Sequence, residues 1–108
     1  MKLTDLGQLV ATRAVADLQE SNKEFDEFLR TCLGRYLNND WGDLEKEDKQ
    51  MNDDAVKSGE RILASYKFPD NAPWTNDDLN MYGGKEDRIW IITELDRSVT
   101  TILFPGEY

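Results

Sequence analysis

The apolar pattern of this chain changes period once, and that change sets its fold class. Phe25, Phe28, Leu29, Cys32, Leu33, Tyr36 and Leu37 recur at i, i+3, i+4, i+7, i+8, i+11 and i+12, one continuous stripe along a helix. From Arg61 the period becomes two. Ile62, Ala64, Tyr66 and Phe68 alternate with Arg61, Ser65 and Lys67, which reads as a half-buried strand. RIWIITEL, residues 88–95, is rich in β-branched and aromatic side chains and reads as a central strand. After a tight turn at Asp96 and Arg97, SVTTILF, residues 98–104, reads as a third strand that Pro105 stops. Helices first and strands second predict an α+β fold: N-terminal helices packed on one face of a three-stranded antiparallel β-meander.

With 108 residues the chain has room for one domain, helical over 1–59 and a β-meander over 60–108. Residues 6–12, LGQLVAT, are too few to classify and open either as a short strand or as an irregular lead-in. Thr12 is an expected N-cap for a short helix with Ala14, Val15 and Leu18 on one side. Ser21 and Glu24 fit the S-x-x-E capping box ahead of the long helix. Gly42 permits a turn, and Asp43 is the expected cap of a third helix over about 44–58, with Leu44, Met51, Ala55 and Val56 as a thin apolar seam. Gly59 is a natural terminator of that helix. Residues 69–87 form a long acidic connection rich in Pro, Gly, Asn and Asp, of the kind that binds ligands or moves.

Composition removes most chemistries. There is no histidine and one cysteine, which excludes Ser-His and Cys-His catalysis, most zinc sites and an intrachain disulfide. Cys32 falls on the apolar stripe and reads as a small buried hydrophobe rather than a reactive thiol. Residues 78–83 look like the start of a calcium loop, but Tyr82 stands at its fifth position and Ile89 at its twelfth, where oxygen ligands are needed. Gly83 and Gly84 belong to no phosphate-binding pattern. The expectation is a protein without catalytic residues, metal or cofactor, hence not an enzyme. MKLTDLGQLV lacks the apolar core of a signal peptide, and no run approaches 18 apolar residues, so the expected location is cytoplasmic.

Charge is the remaining lead. Twenty-two acidic against thirteen basic residues give a net charge of −9, with no Lys/Arg cluster. That argues against direct nucleic-acid binding and against an anionic membrane surface. The excess is uneven: residues 38–60 carry three basic and eight acidic groups, and residues 69–87 carry one and five. Solubility alone accounts for such charge. The functional alternative is a negative face, Asp43, Glu45, Glu47, Asp48, Asp53 and Asp54, offered to a protein partner with a basic surface. Trp74, Asp77, Asp78 and Tyr82 would add a loop contact. Trp74 instead has the plainer option of folding its loop onto the domain, and Trp41 and Trp90 read as core.

Several blocks resemble a family of short plasmid- and mobile-element proteins of gut bacteria. Its members are called plasmid-related proteins, and some bear the name of a type I restriction enzyme's modification subunit. The blocks are residues 6–12; Trp41-Gly42-Asp43-Leu44 with Glu47, Asp48 and Asn52; Gly59 with residues 61–66; residues 89–94 with Asp96-Arg97-Ser98; and Thr101-Ile102-Leu103, Pro105 and Tyr108. The chain departs from that pattern at Arg13-Ala14, where members have Pro-Gly, and at the long connection 69–87, where members have a short hairpin. The resemblance implies an accessory role in a mobile element and supplies no catalytic residues. One form of that role is stoichiometric inhibition of a DNA-processing enzyme, as in anti-restriction or anti-CRISPR proteins whose carboxylates stand in for DNA phosphates. The alternative is a regulatory or structural subunit, antitoxin-like or a homo-oligomeric scaffold such as a homodimer, for which an exposed strand edge would serve.

Overall fold

The computed structural model describes residues 5–74 and 86–108. In chain order its elements are β1 (Gln8–Ala11), α1 (Arg13–Ser21), α2 (Lys23–Leu37), α3 (Lys46–Ser58), β2 (Ile62–Lys67), β3 (Arg88–Thr93), β4 (Val99–Leu103) and a 3-10 turn, Pro105–Glu107. The class is α+β as expected, but the sheet is not a three-stranded antiparallel meander. It has four strands in the order β1-β4-β3-β2 and is mixed. β2, β3 and β4 do run antiparallel in sequence, while β1 joins the open side of β4 in parallel, Gln8 beside Val99 and Ala11 beside Ile102. The residues that pair lie at opposite ends of the chain, so no turn signal announces the pairing, and four residues are too few to display a period.

Register places Ile62 beside Thr93, Ala64 beside Ile91 and Tyr66 beside Ile89, then Thr93 beside Thr100 and Ile91 beside Ile102. These side chains form one core with Ala14, Val15 and Leu18 of α1 and Phe25, Leu29, Cys32 and Tyr36 of α2. The apolar stripe read from the sequence is thus the buried face of α2 at four of its seven positions; Leu37 at its far end is exposed. Two polar side chains enter that core by pairing with a third. Thr100 Oγ1 donates to the Leu6 carbonyl at 2.7 Å. Its only proton is then committed, so it accepts from Thr93 Oγ1 (2.8 Å), which in turn accepts from the Tyr36 hydroxyl (2.7 Å). The relay ties α2, β3, β4 and the lead-in to β1 together.

Thr12 caps α1 as expected, its hydroxyl accepting from the Val15 N–H. The capping box at Ser21 does not form. α1 includes Ser21, whose hydroxyl donates to the Leu18 carbonyl, and Asn22 becomes the N-cap of α2 by accepting from the Phe25 N–H at 3.0 Å. A residue already in helical conformation cannot adopt the extended backbone of an N-cap. Gly59 ends α3 with φ +84, as its position suggested. Trp74 is 4% exposed and packs against Phe25, Phe28 and Phe68 with ring centroids 5.1–5.5 Å apart. It belongs to the core and is not a surface anchor. No helix among the described residues is long and apolar enough to cross a membrane.

Candidate functional site

The acidic segment is organised around the outer edge of β2. On that edge Leu63, Ser65 and Lys67 turn their main-chain groups away from β3. Both groups of Leu63, both groups of Ser65 and the Lys67 N–H are already engaged. The Asn52 side chain accepts from the Leu63 N–H (3.3 Å) and donates to the Leu63 carbonyl (2.8 Å). Ser65 donates to the Trp41 carbonyl at 3.2 Å and accepts from the Asp43 N–H at 2.6 Å. The Lys67 N–H donates to Asp43 Oδ2 at 2.8 Å. Gly42, with φ +78, lets residues 41–43 lie flat along the strand. The edge is closed by one amide side chain, three residues of coil and one carboxylate.

This assigns Asp43 a structural task that differs from the one expected. It does not cap α3, whose N-cap is Glu45 with no side-chain hydrogen bond. Asp53 is likewise engaged, its Oδ1 accepting the Trp41 indole N–H at 2.9 Å, and Trp41 is buried against Tyr36. Asp54 Oδ1 accepts from Gln50 on the helix surface. Glu45, Glu47 and Asp48 are different: all three are exposed, and their carboxylates have no hydrogen-bond or ion-pair partner among the described residues. They sit at the N-terminal end of α3, where the helix dipole favours negative charge. The five ion pairs among the described residues involve none of the six acids, while Lys46, Lys49 and Lys57 interleave with them along the same helix. Asp40, also in the segment, accepts from Arg35 Nε at 2.7 Å and Nη2 at 3.2 Å, which hold its carboxyl below the ordinary value.

Beside these acids an apolar groove of about 660 Å³ runs between α3 and β2. Leu44, Met51, Ala55 and Leu63 form its apolar lining, and Asp48, Asp54, Glu60 and Arg61 are its charged residues. Met51 is 67% exposed, an apolar side chain on the solvent side of a helix. The Arg61 guanidinium is drawn off, 3.4 Å from Glu94 and over the Tyr108 ring at 5.2 Å. Sequence reasoning found the acids and the seam of α3 but missed the groove, because Asn52, which sets the distance between α3 and β2, reads as an ordinary polar helix residue. Asp77, Asp78 and Tyr82 lie outside the described residues.

No group of three or more metal-ligating side chains occurs among the described residues. The Cys32 thiol is buried and pushed up to about 12. The titratable side chains displaced furthest, Cys32, Tyr36 and Tyr66, are all displaced mainly by burial in the core, not in a cleft. The arrangement is one of exposed carboxylates next to an apolar trough between a helix and a strand. Comparison with family models, with curated proteins and with solved structures gives no match.

Proposed function

We propose that this is a non-enzymatic binding protein that holds a basic protein partner against the α3 face. One observation carries the reading: Glu45, Glu47 and Asp48 are exposed and unpaired among the described residues beside an apolar groove, while Asp43 and Asp53 of the same segment are tied to Lys67 and Trp41. No side chain among the described residues engages these carboxylates, so they are available to a cation from outside. With the resemblance to mobile-element proteins, the partner class is a DNA-processing enzyme with a basic surface, and the role is accessory or inhibitory. The three interleaved lysines favour contact through discrete carboxylates and an apolar anchor over a continuous imitation of DNA phosphates. The test is capture of a basic nuclease or methyltransferase by the immobilised protein. Capture should weaken as salt rises and should fall several-fold for the combined variant Glu45→Gln, Glu47→Gln and Asp48→Asn. Capture that ignores both changes removes the reading.

A second reading, a self-associating subunit, has its own support. The Gln8 and Thr12 N–H groups donate to Ser98 and Ile102 of the β4 side, so by alternation Leu9 and Ala11 turn theirs to the outer edge of β1, which no described strand covers. Residues 6–12 carry no charge, so two copies could align there without opposing carboxylates. Sedimentation at rising concentration should then show a dimer that Leu9→Lys abolishes; a monomer throughout dismisses it.

A further inference from the structure

The groove between α3 and β2 has a property that restricts what can occupy it. Main-chain recognition is closed along the groove, because the outward groups of Leu63 and Ser65 and the Lys67 N–H are taken by Asn52, Trp41 and Asp43. An extended peptide laid along this edge would leave its own N–H and C=O groups unpaired against an apolar floor, each losing its hydrogen bonds to water with nothing in return. A helix satisfies its main chain internally and loses nothing on entering an apolar groove. The floor is suited to side-chain insertion: Leu44, Met51, Ala55 and Leu63 offer aliphatic surface, and the flexible thioether of exposed Met51 adapts to different anchors. The charged residues select sign. Asp48, Asp54 and Glu60 have no ion-pair partner among the described residues, while the one cation on the groove, Arg61, is held by Glu94 and Tyr108. α3 has 13 residues, a length of about 20 Å, which fits three to four turns of a partner helix.

We infer that this groove receives a basic amphipathic α-helix of a partner protein, its aliphatic side chains seated between α3 and β2 and its Lys or Arg side chains paired with Asp48, Asp54 and Glu60. The inference rests on the binding reading above and adds the shape and chemistry of the segment bound.

The probe is a fluorescein-labelled Leu/Lys peptide of about five turns with leucines at i, i+3, i+4 and i+7 spacing, titrated against the full chain by anisotropy. Its control is a peptide of identical composition with the leucines dispersed round the helix. The patterned peptide should bind about tenfold or more tightly than the control. Met51→Glu adds a negative charge, so a purely electrostatic contact would strengthen; an anchored helix should instead bind about tenfold more weakly. Amide shift changes on binding should cluster over residues 44–63 and spare β1, a readout that does not depend on any variant folding. Equal binding of the two peptides, or tighter binding by Met51→Glu, overturns the helix-in-groove inference while leaving the acidic-face reading intact. Absence of binding by the patterned peptide overturns it too, and the carboxylate-neutralised variant in the capture experiment then decides the broader reading separately.

Discussion

Gly42 and Gly59 share a left-handed backbone but not a consequence. At Gly42, φ +78, a Cβ would overlap the Ser65 carbonyl oxygen and press on the Tyr66 ring; at Gly59, φ +84, it would meet open space. Gly59→Ala should therefore cost about 1 kcal/mol from backbone strain alone, and Gly42→Ala well over 2 kcal/mol because the 41–43 segment must leave the β2 edge. Denaturant melts of the two variants check this, and equal losses would contradict the edge arrangement. Asn52 makes a sharper case. Asn52→Leu keeps the size but strands the N–H and C=O of Leu63, for an expected loss of about 2–4 kcal/mol. At Cys32, burial that holds the thiol near 12 predicts no labelling by a thiol reagent until the protein unfolds. Cys32 and Gly59 were legible from their neighbours in sequence. Asn52 was not, because the groups it satisfies lie 11 residues away on a different element.

Among elements, β2, β3 and β4 form where strands were expected, with Ile62, Ala64 and Tyr66 buried as the alternation of residues 61–68 predicted and Ser65 buried against it, and α2 buries four of the seven positions of its stripe. β1 is the element whose state was open, and it is held by non-local bonds. The hydroxyl relay from Tyr36 through Thr93 and Thr100 to the Leu6 carbonyl anchors its lead-in, and Glu107 Oε2 accepts from both the Thr12 hydroxyl (2.9 Å) and the Phe104 N–H (2.8 Å). Thr100→Val should cost about 1–3 kcal/mol and selectively raise hydrogen exchange in β1, whereas Tyr36→Phe, at the donor end, should cost only about 1 kcal/mol and leave β1 protected. Uniform loss of protection in both variants would mean that the relay does not act on β1. The same contrast explains the candidate site. The acids of α3 are visible as composition, but whether a carboxylate is spent or available depends on what lies across from it: Trp41 for Asp53, Lys67 for Asp43, and none of the described residues for Asp48.

For the molecule as a whole, a net charge of −9 opposes compaction, and opposite contributions come from individual carboxylates. Asp40, bound by Arg35, and Asp87, bound by Arg88, are held below their ordinary values. A carboxyl lowered in the folded state contributes stability that is present above about pH 4 and is lost as pH falls through the lowered value. Glu86 runs the other way: burial raises it, so its contribution disappears as pH rises through that raised value. The stability difference between the parent chain and Asp40→Asn should accordingly be largest at neutral pH, at about 0.5–1 kcal/mol for so exposed a pair, and should vanish in acid. Thermal melts across pH test the sign. A gap that widens on acidification would show that Arg35 does not stabilise the Asp40 carboxylate.

What the amino-acid order determined by itself was whatever depends on near neighbours: the helical stripe of α2, the period-two strands, the Thr12 cap, the Gly59 terminator and the exclusion of histidine and disulfide chemistry. Periodicity and capping act within a few residues, so they are written locally. Tertiary structure alone decided the parallel docking of β1 on β4, the closure of the β2 edge by Asn52 and Asp43, the burial of Trp74, and which carboxylates of the acidic segment are tied to the fold and which have no partner among the described residues. Each of those outcomes joins groups distant in sequence, and its energy exists only once the chain has brought them within hydrogen-bonding or van der Waals reach.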